Sequence, residues 1–293
     1  MELRQSKAWG VFLESLGWRS EYIKLGDVTV AVRIKSLLGI TSALKIQRPE
    51  ILNDEVLAGI GKIAKKHRAF LTKIEPSSDV NVDLLKKYKF HKDFWPLTPP
   101  KTLVIDLTAS EEEILAKFSK DGRYCLRNSQ KNNLVISVGA TRGSPAGGSR
   151  PAPTELEQFY KLFKKTAHRA HFYAPSFKEL TAKINAFGEN ALLFLASHDK
   201  EVAAGALVLT HDKTAVYIHA ASSKEGQKLE APYLLIWEII KKAKSLGCMS
   251  LDLEGVYDER FPGLTKNWQG FTIFKRKFGG VEITYPGAFS KYL

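Results

Sequence analysis

The sequence predicts an α+β protein of two domains, and three features carry that expectation. Residues 191–254 read as three short strands, a helix and a fourth strand. The first half carries a fainter version of the same order. Between them, the segment 141–153 is dense in Gly, Pro and Ser and has no apolar periodicity, as a linker or surface loop would. The expected domains are therefore 1–145 and 154–293, with the last strand free to return to the first domain.

In chain order, Val28–Lys35 and Ala43–Gln47 read as strands, Asp54–Lys66 as a helix and Phe70–Ile74 as a strand. Asp83–Tyr88 reads as a short helix and Thr102–Leu107 as a further strand. Ser110 and Glu113 have the spacing of a capping box, opening a helix with Ile114, Leu115 and Phe118 on one face. Thr154 and Glu157 repeat the signal ahead of Leu156, Phe159, Tyr160 and Phe163. Ala191–Ser197, Glu201–Thr210 and Thr214–Ala221 are apolar runs parted by His198-Asp199-Lys200 and His211-Asp212-Lys213, which predicts an antiparallel meander. Next comes a helix with Pro232 in its first turn, a stripe of Leu235, Ile236, Ile239, Ile240 and Ala243, and Gly247 at its end. Ser250–Glu254 is the following strand. The order β-β-β-α-β is the core of a GNAT-type acyltransferase domain, so the whole reads as two such domains in tandem.

Composition narrows the function classes. The 293 residues include 44 Lys or Arg and 31 Asp or Glu, a formal charge of +13, with 44% hydrophobic and 26% charged residues. These are globular proportions, which exclude a disordered tail or a coiled-coil rod. No stretch approaches the roughly 18 uninterrupted apolar residues of a membrane span. Met1-Glu2-Leu3-Arg4 lacks a signal-peptide core, so a cytoplasmic location is expected. Cys125 and Cys248 are too few for a disulfide framework, and Cys248 sits at an apolar strand entry, as packing. The positive field attracts polyanions: nucleic acids, phosphorylated metabolites or an anionic membrane face.

Two basic segments stand out. Lys117, Lys120, Arg123, Arg127 and Lys131 recur at helical spacing beside Tyr124, a line that could follow a phosphate backbone and that also suits a solvated helix face. Asn267–Gly280 interleaves rings and cations, including Phe274, Lys275, Arg276, Lys277 and Phe278. That pattern fits bases, phosphates or a developing oxyanion, and equally a strand with an aromatic inner face. His168 and His171 stand at i,i+3 with no third ligand nearby, so no metal is expected. Ser222–Glu230 precedes the central helix with one glycine and two acids, a poor pyrophosphate cradle. No cofactor is expected.

Four stretches together resemble the FemABX aminoacyltransferases of peptidoglycan bridge formation. They are Lys120–Arg127, Thr166–Arg169, Tyr217–Ser223 leading to Trp237-Glu238, and Phe274–Gly280, with Trp9–Phe12 as a looser fifth. The resemblance runs through nearly the whole chain and implies two tandem GNAT-like domains; no long charged heptad segment is present for a coiled-coil helical arm. It implies transfer of an amino acid from aminoacyl-tRNA to the side-chain amine of a peptidoglycan stem-peptide precursor, UDP-MurNAc-pentapeptide or its lipid-linked form. It places Lys275, with Phe274 beside it, at the reacting ester or the tRNA terminus, and Arg169 and Tyr173 at the nucleotide-sugar acceptor. His219 and Glu75 fall where members carry a tyrosine and an acid that contact substrate. Arg123, Arg127, Lys131, Arg276 and Lys277 are the expected tRNA contacts. The chain departs at Leu13, where members that take the soluble precursor carry a lysine. A monomer that can associate with the inner-membrane surface is expected. The alternatives are a GNAT-like acyltransferase with another donor, and a non-catalytic RNA- or membrane-surface-binding protein.

Overall fold

A computed structural model describes residues 2–77, 80–140 and 153–292. The chain divides into two compact units, one of residues 1–100 with 284–293 and one of 101–283. The boundary thus falls at 100/101 and 283/284, whereas the segment 141–153 was the expected border. That segment lies outside the described residues except for its last, and the elements on either side of it belong to one unit.

The first unit opens with α1 (Lys7–Ser15), followed by β1 (Trp18–Leu25), β2 (Val28–Leu37) and β3 (Thr41–Gln47). Then come α2 (Asp54–Lys66), β4 (Ala69–Glu75), α3 (Val82–Lys87) and β5 (His91–Asp93). The final strand, β13 (Ala288–Tyr292), enters this sheet between β4 and β5, giving the order β1-β2-β3-β4-β13-β5. β1, β2 and β3 are antiparallel, and α2 carries the chain to β4, which runs parallel to β3 from Ser42 to Gln47. The apolar stripe of α2, Val56, Leu57, Ile60, Ile63 and Ala64, closes over Val32, Ile34, Leu44, Ile46 and Ile74. Gly10 in α1 is required by contact: a Cβ there would stand 2.6 Å from the guanidinium of Arg33. That fully buried group donates to Ser20 Oγ at 2.7 Å and Ser6 O at 2.9 Å.

The second unit starts with β6 (Lys101–Asp106), α4 (Glu111–Lys117), α5 (Lys120–Ser129) and β7 (Val135–Ala140). It continues through α6 (Pro153–Ala170), α7 (Phe177–Phe187), β8 (Ala191–His198), β9 (Glu201–His211) and β10 (Thr214–Ser222). The short α8 (Lys224–Lys228) and the long α9 (Ala231–Ser245) precede β11 (Ser250–Gly255), α10 (Pro262–Thr265), α11 (Gln269–Arg276) and β12 (Val281–Thr284). Its seven strands run β12-β6-β11-β10-β9-β8-β7. α9 buries Leu235, Ile236, Ile239, Ile240 and Ala243 on one face of the sheet, which is the predicted stripe. The longest helix among the described residues is α6, with 18 residues, and none is apolar enough to cross a membrane. Among the described residues the unit has no coiled-coil arm.

Two expectations are corrected. Lys117 to Lys131 is not one helical face, because the backbone breaks at Phe118, whose extended conformation turns its ring into the core against Trp237 and Phe278. Ser119 then caps α5, accepting from the N–H of Gly122 at 3.0 Å. The strand reading of 267–280 also fails. Residues 269–276 form helix α11, with Thr272 and Lys275 buried one turn apart and Phe278 buried beyond them. The i, i+3 spacing of Thr272 and Lys275 outweighs the local alternation of rings and cations. The expected capping box of α4 forms, with Glu113 N–H donating to Ser110 Oγ at 3.2 Å and Ser110 N–H donating to Glu113 at 2.8 Å. The matching cap at Thr154 lies outside the described side chains.

Candidate active site

The two units repeat one chain order, yet they differ where a parallel strand pair follows the helix. In the first unit β3 and β4 shift register once, after Ser42, and then stay paired from Ala43 and Leu71 to Gln47 and Glu75. In the second, β10 and β11 pair only over Thr214–Val216 and Ser250–Asp252 and then part, although β10 runs to Ser222 and β11 to Gly255. Both strands carry an extra residue at the parting. On β10, Tyr217 faces Val208 and His219 faces Leu207, so Ile218 is unmatched. On β11, Asp252 faces Val104 and Gly255 faces Thr102, three steps against two. Bulges bend a strand and end its pairing, and they gather beside active sites. Glu254 sits in this bulge with φ +62°, a left-handed conformation that a non-glycine residue adopts at a cost of about 1 kcal/mol.

Lys275 closes the end of β11. Its Nζ donates to Gly255 O at 2.7 Å and stands 4.9 Å from the centre of the Phe271 ring. Burial pulls the ammonium down to about 8, while the carboxylates of Glu254 and Asp252 act to keep it charged. A lysine held there exchanges its proton near neutral pH. Phe274 packs edge-on against Tyr233 of α9 and Phe278, with centroids at 5.1 and 4.9 Å, and so fixes the rotation of α11. The glycines after the helix are required. Gly279 and Gly280 have φ +71° and +91°, and a Cβ on either would meet the Lys117 or Val104 carbonyl oxygen within 2.8 Å. Phe274, Phe278 and the two glycines of the motif thereby act together to seat the buried ammonium of Lys275.

The segment Lys120–Arg127 docks on the same helix. Ser119 N–H donates to Lys277 O at 2.9 Å, and a Cβ on Gly122 would stand 2.4 Å from that oxygen. Lys277 lies 4.0 Å from Asp121 and 5.8 Å from the centre of the Tyr233 ring. The two basic segments are thus neighbours within one unit. Their cations have separate employments. Arg123 turns inward and donates to the carbonyls of Ala116 and Phe118, closing the C-terminus of α4. Arg276 pairs with Glu282 at 2.6 Å. Arg127, Lys131 and Tyr124 are all exposed.

Thr166–Arg169 holds the far end of β10. The Thr166 hydroxyl donates to Ser222 O at 3.1 Å, and Arg169 donates to the same oxygen at 2.9 Å. Arg169 is itself exposed, as is Tyr173, which donates to Glu179 at 3.2 Å. His219 lies on the α6 face of the sheet, its ring 5.1 Å from Phe163, and accepts from the buried ammonium of Lys183 at 2.8 Å. Burial, then the charge on Lys183, holds its pKa well below the ordinary range, so the imidazole is neutral. Glu75 belongs to the first unit and is spent there on the Leu97 and Thr98 N–H groups and the Thr98 hydroxyl. Leu13 is buried in the same unit.

Sequence reasoning missed Lys183, Tyr233, Asp252 and Glu254. Lys183 had a signal: it occupies the buried stripe of α7 between Leu180 and Phe187, where a lysine needs a partner. Nothing in the residue types marked the left-handed Glu254.

The segment expected to be a poor pyrophosphate cradle is closed. The N–H of Gly226 donates to Ser223 Oγ at 2.8 Å, and those of Gln227, Leu229 and Glu230 donate to carbonyls within the segment. A Cβ on Gly226 would stand 2.0 Å from Ala203 O, so the turn lies flat on β9.

The model of the FemAB family matches residues 88–202 and 194–293. Among solved structures, FemX superposes with a TM-score of 0.81 at 18% identity, covering 100% of this chain and 92% of that one. The C-terminal domain of a putative lysylphosphatidylglycerol synthetase from Agrobacterium fabrum gives 0.65 at 14%, covering 98% and 88%. A tandem GNAT protein from the clavulanic acid biosynthesis pathway gives 0.54 at 12%, covering 92% and 81%. These likenesses show a shared fold of two GNAT-like domains. No curated protein sequence matches the chain.

Proposed function

The chain belongs to the FemAB family, the peptidoglycan-related aminoacyltransferases, and from that premise we propose that it moves an amino acid from aminoacyl-tRNA to the side-chain amine of a stem-peptide precursor, UDP-MurNAc-pentapeptide or its lipid-linked form. The observation that carries the reading is the buried ammonium of Lys275 at the parted ends of two bulged strands. The acceptor amine attacks the ester carbonyl carbon. A C–N bond forms, the C–O bond to the terminal ribose breaks, the amine loses a proton and the ribose oxygen gains one. The ester is already activated, so the protein must chiefly align the amine and stabilise the oxyanion. Lys275 supplies a positive charge for that oxyanion, and Phe274 keeps it in place. Exposed Arg127 and Lys131 suit the donor's phosphates, and Arg169 with Tyr173 suits the nucleotide-sugar acceptor.

The test incubates the protein with charged tRNA and each precursor form and weighs the precursor. The expected result is a gain of one aminoacyl residue that ribonuclease pretreatment of the donor abolishes. No gain with any charged tRNA overturns the reading, and transfer from acetyl-CoA instead would favour the other donor class. Arg169→Ala should raise KM for the acceptor about tenfold through loss of a charge-assisted hydrogen bond, with kcat little changed. Initial rates at varied acceptor concentration check it.

A further inference from the structure

The turn between β2 and β3 presents apolar side chains in a way that packing does not explain. Leu38 has φ +53° and Gly39 φ +72°, left-handed at both central positions, and Ile40 N–H closes the turn on Leu37 O at 3.2 Å. Asn or Asp followed by Gly is the sequence this turn prefers; leucine is strained there. Leu38 is nonetheless 96% exposed and Ile40 71%. A strained residue that buries nothing of its own is a candidate for burial in something else.

The surroundings identify the partner. Thr41 and Ser42, next after the turn, bond to Arg68 O through the Thr41 hydroxyl at 2.6 Å and the Ser42 N–H at 3.3 Å. The apolar tip therefore adjoins the basic C-terminal end of α2. Beside it opens a groove of about 670 Å³ with Leu57, Ile60 and Phe90 in its wall. Lys62, Lys65, Arg68 and Lys291 also line it, and none of its lining residues is acidic. Thr72, opposite Lys291 across the strands, lines the groove too and has a buried hydroxyl without a partner. The nearby Glu21 is paired with Lys66 at 2.8 Å and hydrogen-bonded to the His67 ring at 2.5 Å. The acids of α2, Asp54 and Glu55, occupy its opposite end. Exposed Phe70 and Tyr292 open β4 and close β13 at this same end of the sheet.

Apolar tips ringed by cations, with no acid between them, match the interface of an anionic bilayer. We propose that this end of the first unit docks on a membrane surface rich in anionic phospholipid, with Leu38 and Ile40 entering the interface and Lys62, Lys65, Arg68 and Lys291 holding the head groups. The inference does not depend on the donor or acceptor proposed above.

Flotation with phosphatidylglycerol or phosphatidylcholine vesicles tests it on the full chain. The wild type should float with the first and not the second. Leu38→Asn combined with Ile40→Asp should lower binding at least tenfold, as should Lys62→Glu combined with Lys65→Glu. Lys161→Glu with Lys178→Glu, an equal charge change in the second unit, should leave binding within about twofold. Leu38→Asn alone should weaken binding while holding or raising Tm, because asparagine suits the turn; a residue there for folding alone would not separate the two. The proposal is overturned if the wild type does not float, if the tip variants bind as wild type, or if the control charge reversal costs as much as the rim reversal. It is also overturned if inorganic phosphate competes while the tip variants change nothing, since the groove is then a site for free anions.

Discussion

Lys275→Ala should reduce aminoacyl transfer about 10²–10³-fold while leaving KM for the acceptor near its wild-type value, the scale of losing one preorganised oxyanion donor. The fold should survive. Burying the ammonium is costly, its pKa having been drawn down to about 8, so removing it relieves desolvation even as Gly255 O loses a donor. Initial rates at saturating charged tRNA, with circular dichroism as the control for folding, separate the outcomes. Unchanged turnover would remove Lys275 from the chemistry.

The second large effect is at a residue that touches no substrate. Gly122→Ala should destabilise the protein by about 2 kcal/mol and slow transfer. Helix propensity alone favours alanine in α5 by about 1 kcal/mol. The new Cβ, however, would lie 2.4 Å from the backbone oxygen of Lys277, which cannot yield as a flexible side chain could. Overpacking of that kind costs about 3 kcal/mol and wins. Relief requires α5 to move off α11, and Lys275 lies two residues before the contact, so its hold on Gly255 O moves with the helix. Urea denaturation and initial rates check both parts. A stabilised, fully active Gly122→Ala would mean that the contact is loose and that propensity decides.

The second half was the more legible from sequence, for a physical reason. β8, β9 and β10 are buried Ala, Val and Leu runs, and the polar pairs Asp199-Lys200 and Asp212-Lys213 that separate them take left-handed turn conformations. β1 was not read because Arg19, Glu21 and Lys24 put charge on both faces of a half-exposed edge strand. The domain border was misplaced because low apolar periodicity marks a break between elements, not between cores. What assigns β6 to the second unit is its pairing with β11, from Thr102–Asp106 to Gly255–Ser250, which no local window contains.

Of the candidate site, Phe274 and Lys275 were legible through the resemblance to the FemABX enzymes, and the structure supplies their reason: a packed ring, a buried ammonium and two left-handed glycines. The bulges at Ile218 and Glu254 were not legible, since ladder register depends on the partner strand. The basic line from Lys117 to Lys131 was over-read. Spacing of three and four does not distinguish one helix from two when a capping serine stands between them, and Arg123 serves the break instead of the surface.

Transfer at this site turns on a charged Lys275 facing the oxyanion, and the pH dependence of single-turnover transfer tests that most directly. A lysine that must be protonated and titrates at about 8 gives a rate that rises with the free acceptor amine up to that pH and then levels off, because the loss of ammonium offsets the gain in free amine, whose own pKa is about 10.4. The predicted profile therefore breaks from a rising limb to a plateau at an apparent pKa near 8. A rate that climbs without a break through pH 9, about ten times past that midpoint in proton activity, would contradict it.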